Sequence, residues 1–159
     1  MTSIEIDGAE IRVELSELEH RLLTTLLTDY TEQVDGDGLA VLFPNAYPDD
    51  PDAAAEFARY TRSGLVDRKT ANAGIVVRDL ATGANIPTGM RISLTAEAFD
   101  TWMPILTDLR RILADRLGIE HDDDPVDESP VGDVYQWLGE LQWRMLEALD
   151  TVAIGDAPQ

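Results

Sequence analysis

The chain is predicted to be a mainly α domain with a small antiparallel β-sheet, and three observations lead there. Of its 159 residues 44% are hydrophobic but only 6% aromatic, so Leu, Val, Ile and Ala must do most of the packing, which favours helices over a sandwich. Apolar residues recur at helical spacing through most of the length. Strict alternation is confined to short stretches near residues 4–6, 10–15 and 90–94. The length suits one domain, expected at 1–151 with an acidic loop at 119–129 and a mobile tail at 152–159.

The elements follow in order. Ile4 and Ile6 lie before the turn dipeptide Asp7-Gly8, and Ile11, Val13 and Leu15 after it, the pattern of a hairpin. Ser16 followed by Glu19 is a capping box, opening a helix with the stripe Leu18, Leu22, Leu26 beside Leu23, Leu27 and Tyr30. On this reading His20 lies off the stripe and faces solvent. The block Leu39 to Asp50, with its prolines, reads as a packed turn. Asp50-Pro51 supplies a cap and a first-turn proline for a helix running through Phe57 and Tyr60 to Gly64, and a second helix continues from Leu65 or Val66 to Leu80, with Gly83 closing it.

A strand at Met90, Ile92 and Leu94 leads into a helix capped by Thr95 and stopped by Gly118, with Pro104 expected to kink it near Asp100. From Glu120 to Asp133 come seven acids and no base, the composition of a mobile, solvated loop. Ser129-Pro130 opens the last helix, whose inner face is Val134, Trp137, Leu138, Leu141, Met145 and Leu149. That leaves Tyr135, Trp143 and Leu146 directed elsewhere, as candidate interface aromatics or a second core face. The segments IRVELSELEHRLLTTLLTD and MRISLTAEAFDTWMPILTD align at an offset of 79 residues, either as a duplicated unit or as one local solution reached twice.

Charge and composition exclude several functions. With 31 acids against 12 bases the formal charge is −19, which repels phosphate backbones and anionic lipid, so direct nucleic-acid binding and membrane association are disfavoured. There is no cysteine, hence no disulfide, thiolate catalysis or cysteine-built zinc site. The N-terminus lacks the basic and apolar regions of a signal peptide, so a cytoplasmic location is expected. No base stands near a nucleophile in any recognisable pattern, the run His121-Asp122-Asp123-Asp124 is too open for a metal cage, and a calcium loop starting at Asp35 would put Leu39 at a ligand position. The expectation is no enzyme, no cofactor and no metal. One basic cluster, Arg59, Arg62, Arg68, Lys69 and Arg78, runs against the overall charge and reads either as a docking surface for an acidic segment or as interspersed surface charge.

The stretch LFPNAYPDDPDAAAEFARYTRSGLVDRKTANAGIV, with LTDLRRILADRLGI and VYQWLGELQ, resembles an actinobacterial domain-of-unknown-function family also known as the AosR-type oxidative-stress regulator family. The motif positions are Phe43, Pro44, Tyr47, Asp50, Phe57, Lys69 and Asn72. The resemblance implies a regulator of transcription in the stress response, acting through contacts with a sigma factor or another transcription component. The family's cysteine-based redox switch has no counterpart here. The sequence therefore points to a non-catalytic regulatory or adaptor protein working through protein–protein interaction, with a homodimer among the possible assemblies. The alternative is a direct DNA-binding transcriptional regulator.

Overall fold

The computed structural model describes residues 2–34, 36–43 and 49–155. Pro44 and Tyr47 lie outside them, as do Asp35 and 156–159 of the expected tail. The fold is mainly α with a four-stranded antiparallel sheet. Gly8, at φ 63°, makes the turn between β1 (Ser3–Asp7) and β2 (Glu10–Leu15). A second hairpin joins β3 (Ala84–Ile86) to β4 (Gly89–Thr95), and the strand order is β1-β2-β4-β3. Ile11, Val13 and Leu15 of β2 and Ile92 and Leu94 of β4 are buried on one face of this sheet. Among the described residues four α-helices complete the fold: α1 (Glu17–Gln33), α2 (Pro51–Ala81), α3 (Phe99–Leu117) and α4 (Pro130–Gly155).

The echo at 79 residues is built into the backbone. Shifting the first hairpin's pairs Ile6↔Ile11 and Asp7↔Glu10 by that offset yields Asn85↔Met90 and Ile86↔Gly89, which are pairs of the second hairpin. The central strands pair Val13 with Ile92, two residues equivalent under the same shift, so a pseudo-twofold axis passes between them. The caps also correspond. Ser16 accepts from the Glu19 amide and Thr95 from that of Ala98; Asp50 accepts from Ala53 and Ser129 from Gly132. Local propensity alone can give two capped helices, but not two hairpins of identical register followed by second helices that begin at Pro51 and Pro130. The structure is two hairpin–helix–helix units sharing one sheet and one hydrophobic core.

Several expectations are corrected. The buried positions of α1 are Leu23, Leu27 and Tyr30, whereas Leu18 is exposed, because the helix turns its Leu23 side toward the sheet. His20 is half-buried rather than free in solvent, its Nε2 lying 2.8 Å from the Leu80 carbonyl near the end of α2. Gly64 does not divide α2, which is one continuous helix. A lone glycine costs a helix only about 1 kcal/mol, too little to break one whose later turns bury Val66, Ala73, Val76 and Leu80. Strand β3 has no alternating signal and was not anticipated. Pro104 lies within α3, and Ala96–Ala98 wind as a 3₁₀ turn directly ahead of that helix.

Two connections hold more structure than their composition suggests. Asp37–Leu42 form 3₁₀ turns that bury Leu39 and Leu42. In the acidic loop the Asp124 carboxylate accepts from the amides of Glu120 and His121, and Val126 packs against the core. At the loop's entrance Gly118, at φ 71°, gives the Gly118 amide to the Asp115 carbonyl and the Ile119 amide to that of Ala114, a Schellman stop. Helix α4 continues past the expected boundary at 151 and buries Val152.

Candidate functional site

The basic cluster read from the sequence is not one surface. Lys69, the chain's only lysine, points inward and places Nζ 2.7 Å from Oδ2 of Asp108 on α3. The same oxygen accepts from the Tyr30 hydroxyl at 2.8 Å. Arg62 donates to the Gly36 carbonyl and lies over the Phe43 ring, 4.3 Å from its centroid. Arg59, Arg68 and Arg78 remain exposed on α2, and Arg78 reaches only 3.9 Å from Asp79. Helical spacing had suggested a shared face for Arg62 and Lys69, but each is committed to an internal contact.

Asp108 was not singled out in the sequence. It is a buried carboxylate in a protein of large negative charge, tolerable because a cation and a hydroxyl meet it from two other helices. Burial raises the Tyr30 pKa well above the tyrosine range, and the Asp108 charge and hydrogen bond add to that, so the phenol is a fixed donor. Comparable bonds tie the halves elsewhere. Trp102 Nε1 donates to Asp79 at 2.9 Å, Arg91 donates twice to Glu14 across the central strand pair, and Thr2 receives Trp137 Nε1 while donating to Glu19. The arrangement ties the helices to one another.

Phe43, Asp50 and Lys69 of the family motif each make a structural contact. Phe43 carries the Arg62 guanidinium, Asp50 caps α2, and Lys69 neutralises Asp108. Phe57 lies at the exposed limit of the surface and Asn72 is half-buried.

The three candidates on α4 separate. Tyr135 is buried under the Arg110 guanidinium, which sits 4.5 Å from its ring centroid, so it belongs to the interior and not to an interface. Trp143 and Leu146 are exposed, at 65% and 44%, and Ile154 at 76% lies on the same side of the helix, three turns beyond Trp143. Glu147 and Asp150 flank them. Four large side chains of the opposite side, Leu138, Leu141, Met145 and Val152, are buried. The apolar outer stripe therefore stands on a rigid, well-anchored helix. Ile154 escaped the sequence reading because it lay inside the expected mobile tail at 152–159.

Arg110 is the other feature missed. It lines a cavity of about 330 Å³ between α3, α4 and the start of the acidic loop. Among the described residues no helix is long and apolar enough to cross a membrane.

No curated protein and no solved structure matches this chain. A family model does, over residues 1–149, which takes in both hairpins, the Lys69–Asp108 contact and most of α4. The chain belongs to the family described as Domain of unknown function (DUF2017).

Proposed function

We propose that this protein is a non-catalytic regulatory or adaptor protein that acts through protein–protein contacts, with Trp143, Leu146 and Ile154 of α4 as the contact surface. The observation that carries the reading is the exposure of three large apolar side chains on one side of a helix whose other side is buried. Aromatic anchors set on a rigid element are the usual centre of a binding hot spot. Glu147 and Asp150 beside them, and the charge of −19, favour a partner whose apolar pocket has a basic rim. A cytoplasmic transcription component such as a sigma factor, in a stress response, is the partner class that the sequence resemblance adds to this reading.

The experiment is capture from native lysate by the wild type and by the triple variant Trp143→Ser, Leu146→Ser, Ile154→Ser. The reading requires a protein retained by the first and lost by the second at an unchanged melting temperature. Equal retention by both overturns it. Direct DNA binding, the second reading, keeps only Arg59, Arg68 and Arg78 in its support, since Arg62 and Lys69 are engaged inside the fold. It requires an affinity that falls steeply with salt, and no binding at ~50 mM salt ends it.

A further inference from the structure

We propose that the cavity beside Arg110 is a binding site for a small organic monocarboxylate. The starting point is an imbalance. In a chain with 31 acids and 12 bases, five arginines, Arg12, Arg21, Arg78, Arg91 and Arg144, stand within ion-pair distance of a carboxylate, and Arg62 and Arg111 donate to backbone carbonyls. Arg110 is half-buried, yet among the described residues it has no hydrogen bond or ion pair, and its Nε is fully buried without a partner there. Leaving a guanidinium donor dry and unmatched costs stability, so such a group calls for a missing partner.

The surroundings hold Arg110 in place without satisfying it. Tyr135 supports the guanidinium by cation–π contact at 4.5 Å. Gly139 of α4 clears the space alongside: a Cβ there would stand 3.1 Å from both Cζ and Nη2 of Arg110. A planar cation is thereby laid between an aromatic ring and a bare stretch of helix, with the 330 Å³ cavity next to it, near the lower end of the usual range for small-molecule sites. Thr107 and Gln142, already bonded to each other at 2.9 Å, add neutral polar groups to the wall.

The charge pattern selects the ligand class. Asp115, Glu120 and Asp122 line the cavity together with Arg110 and Arg111, which leaves more acids than arginines on its wall. The acids oppose a phosphate dianion more strongly than a single negative charge. A carboxylate matches the guanidinium edge with two parallel hydrogen bonds, and an apolar body would lie against Tyr135, Val41 and Ile119.

The test is titration of ¹⁵N-arginine-labelled protein with benzoate, acetate or inorganic phosphate, following the side-chain Nε–H signals, with that of Arg110 assigned by its loss in Arg110→Lys. The proposal expects a saturable shift of the Arg110 signal with benzoate or acetate and a weaker response to phosphate. It also expects affinity to fall by at least ~10-fold, about 1.4 kcal/mol, in Arg110→Lys, read from the tyrosine ring signals. Gly139→Ala, which leaves the charge in place and crowds the guanidinium, should weaken binding while the protein stays folded. No saturable shift with either carboxylate, equal shifts at all arginines, or tighter binding of phosphate would each overturn it. The α4 surface variants above should leave the titration unchanged, so this inference and the proposed function fail independently.

Discussion

The order hairpin, helix, helix occurs twice, at 3–33 with 51–81 and at 84–117 with 130–155, and equivalent positions often share the same burial. Leu23 and Trp102, Leu27 and Leu106, Val66 and Met145, and Ala73 and Val152 are pairs separated by 79 residues, and all are buried. The polar residues do not follow the repeat. Asp108 is buried against Lys69 and Tyr30, while its counterpart Asp29 is exposed, and Lys69 itself corresponds to the buried apolar Ala148. The apolar repeat thus builds the frame twice, and single-copy polar contacts fasten one half to the other. The outer helices differ too. Helix α4 buries Tyr135, Leu138 and Leu141 in its first half, whereas the corresponding turns of α2 bury nothing and leave Tyr60 at 76% exposure.

The sharpest way to break this comparison is to exchange equivalent residues. Asp108→Ala should cost about 3–5 kcal/mol, because Lys69 keeps its charge in a largely buried place with no counter-ion, whereas Asp29→Ala should stay within about 0.5 kcal/mol. Urea unfolding of the two variants checks this. Equal losses would show that the ion pair does not distinguish the halves.

Gly89 gives the next largest effect. It holds φ 144° and a Cβ would stand 2.1 Å from the Leu15 carbonyl oxygen, while Glu10 carries a side chain at the equivalent place in the first hairpin. Gly89→Ala should therefore cost more than the ~1–3 kcal/mol of backbone strain alone, and Glu10→Ala almost nothing, as thermal melts would read. The caps come third. Ser16→Ala removes one of the two bonds of a closed box and should cost about 1–2 kcal/mol, more than Thr95→Ala, whose single bond is 3.3 Å long.

The smallest effect is a pH dependence. Burial alone would raise the Glu19 pKa, but hydrogen bonds from Thr2 and from the Ser16 backbone and hydroxyl bring it below the usual glutamate value. A carboxyl depressed in the folded state contributes stability above its unfolded pKa and loses it as pH falls through the folded one. The stability gap between the wild type and Glu19→Gln should accordingly be widest at neutral pH and shrink below the ordinary glutamate range. A gap that widens on acidification would reverse the assigned sign.

Much of the frame was legible because it rests on local chemistry. The Asp7-Gly8 turn, the Ser16–Glu19 box, Asp50-Pro51, Ser129-Pro130 and Gly118 each act within a few residues, and the offset of 79 was visible in the text of the sequence. What escaped depends on partners far along the chain. The inward turn of Lys69, the burial of Asp108, the contact of His20 with Leu80 and the stacking of Arg110 on Tyr135 span from 25 to 78 residues, and no periodicity encodes them. Leu18 was misplaced for a related reason: a stripe at helical spacing fixes a face only within a turn or so, and the sheet decides which one is buried. Of the expected interaction residues, Trp143 and Leu146 remain on the surface, Tyr135 does not, and the basic cluster is dispersed.

The central functional claim is that the outer stripe of α4 is where a partner protein docks, and an exposed aromatic on the other outer helix offers an internal control. Trp143 on α4 and Tyr60 on α2 are aromatic and exposed to similar degrees, at 65% and 76%. A photoreactive phenylalanine derivative introduced at either position and irradiated in cells measures contact at that spot. The account predicts a discrete cross-link to another protein from position 143 and none from position 60. A cross-link from position 60 alone, or none from either, would contradict it.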